Sequence, residues 1–531
     1  MNISTRKYPV GIQTFERLRK DNYVYIDKTD LVWEITRTAP YIFLSRPRRF
    51  GKSLLTTTLK SYFEGRRDLF EGLKIMQLED KWEQYPVLHI DVSEAKNQPT
   101  TEKLENKLRV ILSQYVEQYD KTNLEETPGD LLRGLIRRAY EKTGKQVVVL
   151  IDEYDAPLLD VLHESEQLQE YRRVMQEFYQ TLKASEAMIK FCFITGITKF
   201  SQLSIFSTIN NLKNISMLPK FAAICGITET ELVTDMAEDI RQMAEALGCT
   251  PEEMHQRLKQ QYDGYRFAEN SPEVYNPFSL MNAFGDNKLS NYWFNSGTST
   301  FLIYQMQHYH TDITTLDGLE ASDSSFDQPT EAMENALPLL YQSGYMTIKD
   351  YDPESDTYIL GIPNKEVKNG IIKGLIPTYV GLDSNKLQDG FALRFWRALK
   401  KNDINLAMEE MKTFLASVPY VEGFKKKLEE EKSSEGFYEY TFWLIFNMLN
   451  VYARTQVKCA GGRIDVVVWM PSTTYVFELK VNGTAREALD QINSKGYALP
   501  YPTDGRQVVK VGVQFDRDTM SVGEWIVEAM A

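Results

Sequence analysis

The sequence lacks the features that mark several protein classes. No apolar run approaches the ~18 residues needed to cross a bilayer, so no transmembrane helix is expected. Residues 1–7 have no apolar block behind them, so no signal peptide is expected. The four cysteines, Cys192, Cys225, Cys249 and Cys459, stand singly with no CxxC pair. A disulfide framework is therefore not expected, and a reducing cytoplasm is the natural compartment. Histidine is scarce, with five in 531 residues. His308-Tyr309-His310 is the only close pair and has no third ligand near it in sequence, so it reads as a surface loop. The net charge of −13 argues against a general nucleic-acid coat protein. It leaves a nuclease open, because a metal can neutralise carboxylates at one site. There is no internal repeat and no low-complexity tract.

Apolar and aromatic residues are plentiful enough for several cores, and the length predicts two to four domains. Over the first ~220 residues short apolar runs alternate with helical stretches. Strands are expected at 41–44, 87–92, 147–151 and 191–194, with a fifth near 214–218. Helices are expected at 52–64, with Gly65 as C-terminal cap, and at 131–143, ending at Gly144. This pattern predicts an α/β fold with a parallel sheet covered on both faces. From about 229 to 350 the reading is mainly helical. One helix starts at Thr250-Pro251 with Glu253 completing the signal. Residues 341–348 and 357–362 read as a strand pair, residues 386–415 as helices, and 425–432 as a solvated charged run. The last ~95 residues return to mixed α/β character. The domain expectation is 1–225, 226–415 and 416–531.

Ser45-Arg46-Pro47-Arg48-Arg49-Phe50-Gly51-Lys52-Ser53 lies between a strand and a helix. Backbone N–H groups at a helix N-terminus attract phosphate, and Gly51 lets the backbone come close. Lys52 is placed to reach the β- and γ-phosphates, and Ser53 to hold Mg²⁺. Arg46 stands where GxxxxGK[ST] has its first glycine. Arg48 and Arg49 add phosphate attraction. Asp152-Glu153 closes the most apolar β-branched run. There Asp152 could anchor the Mg²⁺ shell and Glu153 could orient or deprotonate the attacking water. Thr195, at the end of another strand, is placed like a γ-phosphate sensor. The bland alternative is a surface lysine and a helix-capping aspartate. Motif order and strand context favour ATP with Mg²⁺.

The C-terminal candidate is a hairpin. Gly462-Arg463-Ile464-Asp465 opens an apolar run, Pro471-Ser472-Thr473-Thr474 reads as a turn, and Tyr475-Val476-Phe477-Glu478-Leu479-Lys480 returns. A four-residue turn would set Asp465 opposite Lys480 and Glu478 opposite Val467, bringing all three polar groups to one face. Two close carboxylates call for a cation, and Mg²⁺ accepts a few carboxylates plus waters. Metal-assisted phosphodiester hydrolysis is the implied chemistry.

Two resemblances follow from these residues. Tyr25-Ile26-Asp27-Lys28-Thr29, the loop at 46–53, Leu150-Ile151-Asp152-Glu153-Tyr154-Asp155 and Ile194-Thr195-Gly196-Ile197-Thr198-Lys199-Phe200-Ser201 resemble the AAA-ATPase-like family, in which a missing first glycine is ordinary. Tyr262-Asp263-Gly264-Tyr265-Arg266-Phe267 and Tyr275-Asn276-Pro277-Phe278-Ser279 resemble its lid region. That resemblance implies a P-loop core, a helical lid with a winged-helix-like segment, and a C-terminal nuclease-like domain. Asp465 with Glu478-Leu479-Lys480 is similar to the PD-(D/E)XK nuclease superfamily and its restriction-endonuclease-like fold, with Ile464-Asp465 in place of the usual Pro-Asp. On that resemblance Gln491 matches the glutamine of the following helix, and Glu439 an acidic metal ligand on the preceding one. The expected activity is an ATPase controlling a nuclease that uses Mg²⁺, or Mn²⁺. The alternative is a nucleotide-dependent switch that binds nucleic acid or protein without cutting it. Expected partners are ATP, nucleic acid, with DNA ahead of RNA, and further copies of the chain as a homo-oligomer; no membrane partner is expected.

Overall fold

In a computed structural model the chain forms two compact units, residues 1–311 with 315–367 and residues 312–314 with 368–531. The described residues are 6–295 apart from 123, 160, 163–164 and 200–211; then 302, 306, 309, 316–328, 333, 335–371, 391–416; and 452–530 apart from 460, 471, 482, 502–504 and 517–520. Glu439, His163, His308, His310 and the charged run at 425–432 lie outside them. Among the described residues no helix is long and apolar enough to cross a membrane.

The first unit is built on a five-stranded sheet of β1 (Tyr41–Ser45), β2 (Val87–Asp91), β3 (Val147–Asp152), β4 (Ile189–Gly196) and β5 (Lys213–Asn214), in the order β2-β3-β4-β1-β5. Every neighbouring pair is parallel. The strands β1 and β3 are buried at every position because helices cover both faces, which is why they read as unbroken apolar runs. The helix Lys52–Phe63 follows β1. The helix Pro128–Thr143 precedes β3, with a Thr127–Asp130 capping box and Gly144 left-handed at its end. A helical segment comes next, including Glu229–Asp235, Ala237–Leu247, Pro251–Tyr262 and Pro277–Asp286, with its own core around Met243, Leu258 and Leu280. A small antiparallel sheet joins Leu319–Ala321, Thr357–Gly361 and Thr347–Asp352.

The expected strand at 341–348 begins six residues late. Tyr341 and Gln342 end the helix Leu337–Gln342, where Pro338 sits in the first turn. The chain then reverses at Gly344 (φ 87°) before Thr347 enters the sheet.

The second unit holds a five-stranded sheet of consecutive strands Tyr452–Cys459, Gly462–Trp469, Thr473–Lys480, Gln507–Asp516 and Ser521–Ala529. All pairs are antiparallel except Thr473–Lys480 with Gln507–Asp516, the pair joined through the helix Ala485–Lys495. Helices Phe391–Lys400 and Ile404–Ala416, which fall in the expected span 226–415, belong to this unit. Ser521 Oγ donates to the Lys412 carbonyl, and Lys412 Nζ to the Gly523 carbonyl at 3.1 Å. The sequence did not locate this division because an amphipathic helix does not state which core it covers.

Candidate active sites

The phosphate loop leaves the carboxyl end of β1 and turns into its helix at Gly51, whose φ of 95° is the left-handed conformation that glycine adopts without cost. Arg49 also has positive φ, at 66°. A cavity of about 590 Å³ lies over this turn and is lined by Arg48, Arg49, Phe50, Gly51, Lys52 and Ser53. Its apolar side comes from Val10, Val24, Ile26 and Ile224, among others. A site of this kind suits a ligand with a flat apolar part and an anionic tail.

Lys52 is buried, and its ammonium donates to the Pro47 carbonyl at 3.1 Å, across the loop it is expected to serve. Burial lowers its pKa, while the carboxylates of Glu153, Asp152 and Asp155 pull the other way. Asp152 ends β3, with β4 between it and the loop strand. It is 2 % exposed. Burial pushes its carboxyl up to about 6, against the stabilising hydrogen bond from Ser53 and the charge of Lys52. Ser53 and Asp152 thus meet as a hydroxyl–carboxylate pair, a donor set that fits Mg²⁺. Glu153 follows in a left-handed conformation, φ 47°, which is strained for a non-glycine residue and turns it away from the strand line. Its carboxylate pairs with Lys96 at 2.5 Å. Burial would raise its pKa, but Lys96 and Lys52 outweigh that and hold it below the ordinary range.

Thr195 is placed differently from the expectation. It is fully buried, and its hydroxyl donates to the Leu44 carbonyl at 2.7 Å. A side chain committed to the neighbouring strand does not present its hydroxyl to a phosphate, so the sensor role is withdrawn.

Arg46 explains how the loop dispenses with its first glycine. Its guanidinium is buried and donates to the Ser45 and Ser216 carbonyls at 2.9 and 2.8 Å and to the Phe221 carbonyl at 3.2 Å, stacked over Phe267 at 4.2 Å. The next four residues also lean on the helical segment. A methyl group on Gly344 would come within 2.7 Å of Pro47. Trp293 Nε1 donates to the Arg48 carbonyl at 3.0 Å, and Arg49 lies over Phe278 at 4.8 Å. Phe50, 1 % exposed, meets Tyr265 and Phe267 edge-on at 4.7 and 5.4 Å. The aromatic motifs singled out above are therefore the walls against which the loop is shaped.

Sequence reasoning missed three participants. Asp155 accepts from Ile197 N, Thr198 N and Thr198 Oγ, fixing the loop after β4. Its position inside Asp152-Glu153-Tyr154-Asp155 was a usable signal. Lys96 had none, being 57 residues from Glu153. Glu366 is fully buried and accepts from Ser279 Oγ and Trp293 N, both at 2.7 Å. Burial raises its carboxyl to about 7 against those hydrogen bonds.

In the second unit the hairpin register differs from the expectation by two residues. Val466 pairs with Phe477 and Trp469 with Thr474. Met470 N donates to the Thr473 carbonyl at 2.8 Å, closing a two-residue turn in place of four. Thr473 and Thr474 are fully buried strand residues, as β-branched side chains favour. Continuing the register by one step sets Asp465 against Glu478, not Lys480. A slip of two preserves which face each side chain occupies, so the carboxylates still converge. The backbone ladder between these strands stops at Val466–Phe477, and the Asp465 carboxylate takes over by accepting from Leu479 N at 2.7 Å. Gln491 Nε2 donates to Glu478 from the helix Ala485–Lys495, and Lys480 Nζ lies 3.4 Å from the same carboxylate oxygen. That helix can approach because Gly512, paired with Glu478 in the sheet, has no side chain: a Cβ there would sit 2.3 Å from the Ala485 carbonyl. Asp465 and Glu478 are oxygen donors of the kind a hard divalent cation takes, and Lys480 and Gln491 hold the second of them from either side.

Comparison with known proteins gives a family match for each of two stretches of the chain. Residues 9–206 match the AAA-ATPase_like family, described as predicted AAA-ATPase, and residues 433–525 match the PD-(D/E)XK nuclease superfamily. The uncharacterized protein in the vnfD 5′ region of Azotobacter chroococcum mcd 1 is 33% identical over 536 residues, spanning 99% of this chain and 100% of that protein. The chain belongs to the AAA-ATPase-like family. It carries a PD-(D/E)XK nuclease superfamily domain at its C-terminal end. The parallel sheet and the C-terminal mixed sheet described above are the folds of these two domains.

Proposed function

We propose that this AAA-ATPase-like protein binds and hydrolyses ATP with Mg²⁺, and that nucleotide state controls a C-terminal nuclease that cuts nucleic acid, DNA ahead of RNA, using Mg²⁺ or Mn²⁺. The observation that carries the reading is the presence of two polar sets in one chain: Lys52, Ser53, Asp152 and Glu153 around the turn at Gly51, and Asp465, Glu478, Lys480 and Gln491 around a parted hairpin. At the first site, Gly51 and the helix N-terminus receive the phosphates, Lys52 neutralises them, and Ser53 with Asp152 would hold Mg²⁺. Glu153 orients a water once Lys96 releases it. At the second, Asp465 and Glu478 would hold the divalent ion. When bound, the ion would supply an activated water and a counter-charge for the scissile phosphate. Lys480 offsets charge developing on the phosphate, and Gln491 keeps Glu478 aimed.

The test incubates the full chain with plasmid, single-stranded DNA and RNA, with Mg²⁺ or Mn²⁺, with and without ATP. Cleavage that depends on ATP, and that is lost in Asp465→Asn, is the expected result. Asparagine keeps an oxygen for Leu479 N but removes the charge, so loss without a change in melting assigns the role to the metal site. If nothing is cut under any condition, the nuclease reading fails and a nucleotide switch takes its place. Phosphate release unchanged in Lys52→Ala and Glu153→Gln would sink the ATPase reading.

A further inference from the structure

The cavity over the phosphate loop has a second buried lysine on its wall. Lys28 lines it together with Gly51, Lys52 and Ser53. Its backbone is pinned: Asp27 accepts from Thr29 N at 2.9 Å, Thr29 Oγ at 2.7 Å and Lys74 N at 2.7 Å. The Lys28 ammonium donates to Glu231 Oε2 at 2.6 Å, with the two side chains 11% and 18% exposed. Cys225 lines the same cavity and feels the charges of Arg46, Lys52 and Lys28, so Lys28 and Lys52 border one region.

Glu231 does not depend on Lys28. Its Oε2 also accepts from Thr228 N at 2.8 Å and Thr228 Oγ at 2.9 Å, closing the capping box of the helix Glu229–Asp235. If the lysine left, the glutamate would keep its cap and the helix its start. The ammonium has three donors, of which Glu231 takes one. A lysine so placed, on a rigid backbone at the wall of an anion-sized site and tied to a partner that can release it, is suited to exchange that partner for a ligand.

We propose that Lys28 is a second polyphosphate-binding cation, held by Glu231 until a nucleotide takes it over. The inference rests on the ATP-binding reading and adds a residue and a direction to it. Binding of the anionic tail would draw Lys28 off the start of the helical segment, so that segment registers whether the cavity is charged.

The experiment titrates Mg-ATP and adenosine into the full chain by calorimetry, for the parent, Lys52→Ala, Lys28→Gln, Lys28→Arg and Glu231→Gln. A lost charge-assisted contact should weaken ATP binding roughly 10- to 100-fold in Lys28→Gln. Adenosine, which lacks the tail, should bind as to the parent, and Lys28→Arg should restore most of the ATP affinity. Glu231→Gln can still cap Thr228 and frees the lysine, so it should bind ATP as tightly as the parent or more tightly. Equal losses in Lys28→Gln and Glu231→Gln, or a matching loss of adenosine, would make the ion pair merely structural and overturn the proposal. Parent-like ATP binding by Lys28→Gln would do the same. A parent that binds no ATP overturns the underlying reading, whereas a parent that binds through Lys52 while ignoring Lys28 overturns this inference alone.

Discussion

Removing the Phe50 ring tests whether the helical segment shapes the phosphate loop. The ring is 1 % exposed and wedged edge-on against Tyr265 and Phe267, at centroid distances of 4.7 and 5.4 Å. Truncating a buried phenylalanine to alanine costs about 3–5 kcal/mol where the site cannot collapse. Phe50 belongs to a loop and not to the sheet, so the loss should fall mainly on the loop's ordered state. Nucleotide binding must then restore that order. At 1.4 kcal/mol per tenfold, a full transfer of the cost would weaken ATP binding by about 100- to 4,000-fold, and partial collapse of the loop still leaves about tenfold. Phe50→Leu keeps most of the volume and should cost less than about 1.5 kcal/mol. Calorimetric titration of Mg-ATP, alongside a melting curve for each variant, reads this directly. Phe50→Ala that melts like the parent and binds ATP within twofold of it would refute the argument.

Two further outcomes follow from buried groups. Burial raises the carboxyls of Asp152 and Asp263 to about 6 and that of Glu366 to about 7. Such groups hold more protons folded than unfolded between ordinary carboxyl values and these, so the first unit should lose stability as pH rises from about 4.5 to 7. Glu366→Gln should flatten this slope and raise stability at pH 8 by up to about 3 kcal/mol, read from melts at pH 5 and 8; a variant that melts lower than the parent at pH 8 would contradict it. Gly512→Ala should press a methyl group into the Ala485 carbonyl, cost about 1–3 kcal/mol, and push Gln491 away from Glu478. Metal affinity at that site should fall about 10- to 100-fold, measured by Mn²⁺ titration; unchanged affinity would show that the close helix approach does not aim Glu478.

Much of the fold was legible because the features that set it are local. The runs at 41–44 and 147–151 could only be strands buried on both faces, and Gly65 and Gly144 stand where left-handed caps belong. The site was legible where chemistry and backbone coincide, as at Gly51-Lys52-Ser53 and Asp152-Glu153. It was not legible where a side chain's partner is distant in sequence. Nothing near Thr195 showed that Leu44 would take its hydroxyl, and nothing near Glu153 or Arg48 pointed to Lys96 or Trp293. The hairpin register failed for a smaller reason. Thr473 and Thr474 were read as turn residues, though β-branching fits them equally to a strand, and burial decided in favour of the strand.

The buried guanidinium of Arg46 and the four residues after it have a consequence for modularity. A P-loop with its first glycine can carry its shape within its own backbone. Here that shape is written partly in Phe267, Gly344, Trp293, Phe278 and Tyr265. The nucleotide site is thus not an exchangeable part of the sheet. A fragment ending near residue 225 would keep all five strands and Lys52 yet leave the loop without its mould, and a loop transplanted into another P-loop protein would arrive without instructions for folding. Loop and aromatic wall are one heritable unit, and a change in either must be answered in the other.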